Sequence, residues 1–163
     1  MYADIAPGYN ELHGEEQRRK LNKLLAHVDL SKYRTVLDVG CATTHLRTFF
    51  SEQEYTGVDP CKELLEQAPA HVPVMCAPGE SLPIADASYD ITLSLTALHN
   101  YTNPLKGVAE LARVTKEVSL IGVLKKSSSH KEIVRAVEDL FVVQETFSDQ
   151  HDTLILALAR RNK

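Results

Sequence analysis

Two acids and one glycine in this chain, Asp38, Asp59 and Gly40, have the residue types and spacing of a ligand site. An apolar run over 36–39 contains Asp38 and stops at Gly40, a helix-like pattern follows, and a second short apolar run ends at Asp59. A glycine after a buried strand lets the backbone turn sharply, and an acid at the end of the next strand can accept hydrogen bonds from two ribose hydroxyls. The spacing therefore predicts a nucleotide-type cofactor site at the edge of a parallel sheet.

The elements that must position these residues alternate between strand and helix patterns. Runs rich in β-branched or aromatic residues predict strands at 35–39, 54–59, 72–77, 89–96, 117–125, 141–148 and 153–159. Helical periodicity lies at 10–28, 44–52, 61–68, 104–116 and 129–140. Asn103 and Pro104 are typical of a helix start, and Ser129 with Glu132 has the spacing of a capping box. Such alternation implies a parallel sheet that is covered on both faces.

The last two predicted strands break the alternation. Only residues 148–152 separate Phe147 from Thr153. A parallel crossover needs a dozen or more residues, so these two strands must form a hairpin. One antiparallel strand is therefore expected in an otherwise parallel sheet.

The segment from Asp38 to Thr44 resembles the first motif of class I S-adenosylmethionine-dependent methyltransferases, Asp/Glu-x-Gly-x-Gly-x-Gly. Gly40 keeps the first glycine, whereas Ala42 and Thr44 stand at the other two. The reversed seventh strand is a second, independent match. The resemblance implies an α/β, Rossmann-like, doubly wound, seven-stranded and mostly parallel sheet with an antiparallel last strand. It covers about residues 9 to 160 and implies a single methyltransferase-like domain over 1–163, with an N-terminal arm and helix in 1–30 and the core in 34–163.

The resemblance also implies that S-adenosylmethionine is the cofactor. Asp38 and Gly40 would border its methionine part, and amides at the start of the following helix would receive its carboxylate. Asp59, followed by Pro60, would hold both ribose hydroxyls. Ala42 is tolerated there if its backbone keeps a negative φ, whereas a β-branched Thr44 resists positive φ.

The loop over 77–83 resembles the third family motif, in which an acid usually receives the adenine amino group. Pro78 stands at that position and has neither a backbone N–H nor a side-chain acceptor. Gly79 and Leu95 are expected beside the cofactor. Glu80 either replaces the missing acid or is a surface acid of the loop.

The segment 94–101 resembles the family's floor of the methyl-transfer site, and it lacks the Asn/Asp-Pro-Pro-aromatic motif that grips planar amines. His99 is the candidate proton acceptor, because imidazole titrates near neutrality; a structural role is the alternative. Tyr2 and Tyr9 precede the first long helix, where an aromatic face could stabilise a sulfonium or simply pack on the core. We expect Tyr9, His99 and Asn100 beside the transferred methyl group.

Composition limits the other functions. A formal charge of −4 over 163 residues gives no support to nucleic-acid binding, and the run from Arg18 to Lys20 is predicted to be a solvated face. The sequence has no apolar run that would span a membrane and no secretory pattern, and its three cysteines have no paired spacing. A cytoplasmic protein with no metal site is expected.

Three functions follow from these observations. The first is a methyltransferase acting on a small-molecule or bulky acceptor that the sequence does not identify. The second is a non-catalytic binding or regulatory module, because Ala42, Thr44 and Pro78 weaken the cofactor motifs. The third, a nicotinamide-dependent oxidoreductase, is disfavoured by the hairpin and by the lack of a Gly-x-Gly-x-x-Gly turn. Without long insertions, the mouth of the site should be open unless the N-terminal arm, a partner or a second copy covers it.

Overall fold

A seven-stranded sheet forms the centre of the protein, for which the computed structural model describes residues 2–161. Its strands are β1 (Thr35–Val39), β2 (Glu54–Asp59), β3 (Val74–Cys76), β4 (Tyr89–Leu95), β5 (Thr115–Leu124), β6 (Phe141–Ser148) and β7 (Asp152–Ala159). The order across the sheet is β3-β2-β1-β4-β5-β7-β6. The direction of strand succession reverses between β1 and β4, and ligands of open α/β sheets bind at the carboxyl ends of the strands at such a point.

The strand directions confirm the expected mixed sheet. The pairs β1–β2, β1–β4, β2–β3 and β4–β5 are parallel, whereas β7 is antiparallel to both β5 and β6. The hairpin predicted from the short connection after Phe147 is therefore present. Its turn occupies only residues 149–151.

Helices and turns connect the strands. The α-helices are α1 (Tyr2–Ile5), α2 (Tyr9–Leu25), α3 (Lys62–Leu65), α4 (Pro104–Val114) and α5 (His130–Leu140), and 3₁₀ helices lie at Ala6–Gly8, Leu30–Lys32, His45–Phe50 and Leu98–Asn100. Within residues 2–161, no helix combines the length and apolarity that membrane crossing requires.

Three helix predictions need correction. The pattern at 44–52 forms the 3₁₀ helix His45–Phe50, because its apolar residues repeat at a spacing of three as well as four. The pattern at 61–68 forms only the four-residue α3. Asn103 caps α4 by accepting the Lys106 N–H at 3.1 Å, whereas the Ser129 side chain makes no capping hydrogen bond to α5.

The core lies in two layers, one on each face of the sheet. Val36 of β1 packs in the layer under α2, which includes Leu21 and Leu24, while its neighbour Leu37 packs in the layer under α4 and α5. Successive residues of a strand point to opposite faces, so this division is the expected alternation. Both faces are covered, and the carboxyl edge of the sheet remains for the site.

Candidate functional site

A cavity of about 230 Å³ lies at the carboxyl ends of β1, β2 and β4. Its lining residues come from the N-terminal arm, the turns after these strands and α3: Tyr2, Tyr9, Gly40, Ala42, Asp59, Pro60, Cys61, Leu64, Leu95, Thr96, Ala97, Asn100 and Tyr101. Eight of the residues selected from the sequence are thus brought together, namely Tyr2, Tyr9, Gly40, Ala42, Asp59, Pro60, Leu95 and Asn100. Asp38, Gly79, Glu80 and His99 are not among the lining residues.

The turn after β1 is left-handed at every second residue. The φ angles are 84° at Gly40, 50° at Ala42 and 62° at Thr44. The condition set for Ala42, a negative φ, is therefore not met, and Thr44 adopts the conformation that its branched side chain resists. Gly57 of β2 makes room for this turn, since a Cβ added there would lie 3.1 Å from Thr44 Cγ2. The alanine and threonine thus follow the backbone path that glycines usually take.

Asp59 holds this turn and faces the cavity. Its Oδ2 accepts the Ala42 N–H at 2.9 Å, and its Oδ1 accepts the Cys61 N–H at 2.8 Å. Burial raises the pKa of the carboxyl, although the two backbone bonds oppose the rise. Each carboxylate oxygen can accept a further hydrogen bond, so the acid retains the capacity to bind two hydroxyl groups of a ligand.

Asp38 lies behind the turn rather than in the cavity wall. It is 2% exposed, and its Oδ2 accepts the Tyr55 hydroxyl at 2.6 Å. Burial raises its pKa from 3.8 to about 7, and the nearby charge of Asp59 adds to the rise, while the bond from Tyr55 opposes it. The acid therefore links β1 to β2 through Tyr55, and any contact it makes with a ligand stays a prediction.

Tyr101 separates Gly79 from the cavity. Its hydroxyl and Cε2 occupy the space that a side chain at Gly79 would need, and Cε2 together with Cδ2 occupies the space that a side chain at Gly107 of α4 would need. Glu80 points away, because its Oε1 accepts the Asn103 N–H at 3.3 Å. Pro78 is exposed. The loop after β3 therefore contributes to the site through the wall that Tyr101 forms.

The N-terminal arm lies across the mouth of the cavity. Tyr2 accepts a hydrogen bond of 2.6 Å from the Asn100 side chain, and the Gln67 side chain donates to the Ala6 carbonyl. Ala6 is buried in a small cluster with Ala42. The sequence left three possible covers for the mouth of the cavity: the N-terminal arm, a partner or a second copy. The structure shows the arm in this position.

His99 is half-buried and outside the cavity lining, although its neighbour Asn100 is part of it. Burial lowers the pKa of the imidazole; the charge of Asp152 opposes this shift and that of Lys20 adds to it. The ring is thus neutral near pH 7, and it lies close enough to Asp152 and Lys20 for their charges to affect its pKa. Its place outside the lining favours the structural alternative over the role of proton acceptor.

Sequence reasoning missed a group of three polar residues beside the site, Lys20, Thr96 and Asp152. Lys20 and Asp152 have no exposed surface, so the interpretation of the run ending at Lys20 as a solvated face was wrong for that residue. The available signal was position, because Lys20 stands four residues before Leu24, on the apolar face of α2.

Comparisons with known proteins agree with this geometry. The family described as "Methyltransferase domain" matches residues 37–121, which is more than half of the chain. The Bacillus subtilis uncharacterized methyltransferase YcgJ is 37% identical over 92 residues, covering 50% of this chain and 36% of the relative. The Erwinia pyrifoliae malonyl-[acyl-carrier protein] O-methyltransferase is 34% identical over 124 residues, covering 71% of this chain and 45% of the relative.

The chain thus spans less than half the length of these two curated relatives. A solved chain from the complex between the Haloferax volcanii Trm112 methyltransferase activator and a methyltransferase has a TM-score of 0.82, with 17% identity over 99% of this chain and 98% of its own length. At that identity the likeness shows the fold alone. With the family match and the cavity at the switch point of the sheet, the chain belongs to the class I S-adenosylmethionine-dependent methyltransferase family.

Proposed function

We propose that this chain binds S-adenosylmethionine in the cavity and transfers its methyl group to an acceptor. The observation that supports this most directly is the Asp59 carboxylate, which faces the cavity beside the left-handed turn at Gly40. When bound, the cofactor supplies an electrophilic methyl group on a positively charged sulfur. In-line displacement at that carbon depends mainly on alignment, so few catalytic side chains are required.

The lining residues fit such a ligand in a consistent order. Asp59 would accept the two ribose hydroxyls with the acceptor capacity that its backbone bonds leave free. Leu95 and Tyr101 would provide apolar walls for the base. The ring of Tyr9, at the start of α2, would face the positively charged sulfur, which an aromatic face stabilises.

The carboxylate of the methionine part would meet a different kind of helix from the one expected. The sequence suggested amides at the start of an α-helix after Thr44, but that element is a six-residue 3₁₀ helix. The Ala42 N–H is already donated to Asp59. We therefore assign no residue to this carboxylate.

The acceptor side has no cationic residue among the described lining residues. A neutral acceptor group fits this lining better than a carboxylate or phosphate, which proteins usually bind with arginine or lysine. The acceptor of the Erwinia pyrifoliae relative, a malonyl group on a carrier protein, is therefore not transferred to this chain.

The arm or a partner chain would complete the mouth. The arm is favoured by the Asn100–Tyr2 and Gln67–Ala6 hydrogen bonds. The partner is favoured by the Haloferax volcanii neighbour, which was solved as a complex with a methyltransferase activator. Light scattering of the purified chain, with and without S-adenosylhomocysteine, tests whether a second copy is recruited.

Calorimetry with S-adenosylhomocysteine and S-adenosylmethionine tests the proposed function. We expect saturable binding of both ligands and weaker binding by an Asp59→Ala variant. No heat and no thermal shift at about millimolar ligand would favour the non-catalytic alternative, in which the altered motifs no longer bind the cofactor.

A further inference from the structure

A buried ion pair joins α2 to the start of β7 beside the cavity. Lys20 and Asp152 have no exposed surface, and Lys20 Nζ lies 3.0 Å from Asp152 Oδ1 and 2.7 Å from Glu16 Oε1. Burying such charges is expensive unless each is paired and hydrogen-bonded. The pair lies next to the carboxyl end of β4, where it can affect the residues that line the cavity.

Thr96, the first residue after β4, hydrogen-bonds to both members of this pair. Its Oγ1 donates to Asp152 Oδ2 at 2.6 Å and accepts from Lys20 Nζ at 3.0 Å. Its backbone N–H donates to the Gly122 carbonyl of β5 at 2.9 Å. The one hydroxyl group is therefore held from two sides by two charged groups.

The backbone of Thr96 is left-handed, with a φ of 56°. A β-branched residue in that region is a genuine outlier, because its side chain crowds the neighbouring carbonyl. Such a conformation persists only where the surroundings impose it. Lys20 and Asp152 are the groups that contact the side chain and hold it in place.

The turn at Thr96 determines where the next cavity residues lie. Leu95 and Ala97, on either side of it, both line the cavity. A Cβ added to Gly40 would lie 2.6 Å from Ala97 Cβ, so this wall packs directly on the turn after β1. Beyond it, the 3₁₀ helix Leu98–Asn100 brings Asn100 to the cavity.

We propose that Thr96 is a positioning residue of the cofactor cavity, and that the buried pair of Lys20 and Asp152 enforces its left-handed turn. The wall from Leu95 to Tyr101 is then formed only when α2 is docked. Because α2 also carries Tyr9, docking of this helix forms one wall and places one cover in a single step. The inference rests on the proposed function, since the wall is assigned to the cofactor.

Substitutions at position 96 separate the conformation of the turn from the hydroxyl group. Thr96→Val keeps the branched shape but loses both hydrogen bonds, whereas Thr96→Gly also loses them but adopts positive φ freely. We expect calorimetry with S-adenosylhomocysteine to show about tenfold weaker binding for Thr96→Val, and binding by Thr96→Gly about fivefold tighter than by Thr96→Val. Equal losses in the two variants would overturn the inference, as would no loss in Thr96→Val.

The buried pair is tested in the same way by rescue. Asp152→Asn should weaken ligand binding, and the double variant with Thr96→Gly should recover part of the lost affinity. General destabilisation predicts the opposite, because the second substitution would only add to the damage. Thermal melting and circular dichroism report whether Thr96→Val folds. If it does not fold, the Asp152→Asn series tests the inference by itself.

Ala87 provides the matched control. It is exposed, has a φ of 46° and is not among the residues that line the cavity. Ala87→Gly in the Asp152→Asn background should relieve backbone strain without restoring affinity. Recovery of affinity by this control would overturn the positioning role. Failure of the wild-type chain to bind S-adenosylhomocysteine would instead reject the proposed function, and the inference with it.

Discussion

The Asp59 carboxylate accepts the Ala42 backbone N–H at 2.9 Å, and this bond ties the end of β2 to the turn after β1. Ala42 has a positive φ, so the bond also holds a backbone conformation that an alanine disfavours. The same acid is therefore expected to shape the site and to bind the ligand.

Asp59→Ala should reduce the affinity for S-adenosylhomocysteine by about 1.5–3 kcal/mol, because charge-assisted hydrogen bonds to the ribose are lost. Asp59→Asn retains one carbonyl oxygen as an acceptor and should lose less. Calorimetry measures the affinities, and melting curves report how far the loss of the Ala42 bond loosens the fold. Wild-type affinity in a folded Asp59→Ala variant would contradict the assignment of the ribose to this acid.

The buried Asp38 should make stability depend on pH. Its folded pKa of about 7 lies above its ordinary value of 3.8, so the native state holds the proton more tightly than the unfolded chain does. The resulting stabilisation is complete below about pH 4 and is lost as the pH rises through 7. Asp38→Asn can still accept from Tyr55 and cannot ionise, so its melting temperature relative to wild type should rise between pH 5 and pH 8.

Asp29 supplies the control for this pH series. Hydrogen bonds from the Ser31 side chain hold the pKa of Asp29 below its usual 3.8, and the group is ionised throughout the range from pH 5 to pH 8. The melting-temperature difference for Asp29→Asn should therefore be constant in that range. If the melting-temperature difference for Asp38→Asn were also constant from pH 5 to pH 8, Asp38 would not titrate in that range.

His99→Ala should lower turnover by less than about tenfold, because the ring lies outside the cavity lining. The measurement requires an acceptor that supports wild-type turnover, with His99→Gln as the matched variant. A loss of about 10²–10⁴-fold with unchanged S-adenosylhomocysteine affinity would instead identify a general base. In that event the rate should fall only below pH 6.5, since burial lowers the pKa of this imidazole from that value.

Arg113 of α4 anchors the loop that precedes β4. Its guanidinium donates to the Ile84 carbonyl at 2.7 Å and the Leu82 carbonyl at 3.1 Å, and it pairs with Glu110 at 2.7 Å. Arg113→Met should lower the free energy of unfolding by roughly 1–3 kcal/mol, because several charge-assisted bonds of a partly exposed group are lost together. Chemical denaturation measures the change.

The exposed pair of Arg34 and Glu54 is the matched control for Arg113. Its charged atoms lie 2.7 Å apart, and the side chains are 79% and 64% exposed. Arg34→Met should change stability very little, because water screens exposed ion pairs. Equal losses in the two arginine variants would contradict the anchoring role of Arg113.

Much of the fold could be predicted because it depends on patterns that are local in sequence. β-branched runs predicted all seven strands to within two residues at each end, and the short connection after Phe147 required the hairpin. The edge strand β3 comprises only Val74–Cys76 of the predicted 72–77. The element after Thr44 was assigned the wrong helix type, because spacings of three and four overlap over six residues.

The place of a residue in the cavity was predictable where the residue follows the end of a predicted strand, as for Gly40 and Asp59. The position of a site residue was not predictable where contacts between segments far apart in sequence determine it. The burial of Lys20 depends on Asp152, which is 132 residues away in sequence, and the left-handed turn at Ala42 depends on the hydrogen bond that its N–H donates to Asp59. The wall formed by Tyr101 depends on the missing side chain of Gly79.

The ring of Tyr101 packs closely against both Gly79 and Gly107, two glycines that belong to different segments of the chain. Substitutions at these three positions should therefore be correlated among related proteins. A lineage that gains a side chain at either glycine must first lose the ring, and a lineage that keeps the ring must keep both glycines. In an alignment of relatives, correlated replacement at these three positions would mark the members that share this wall.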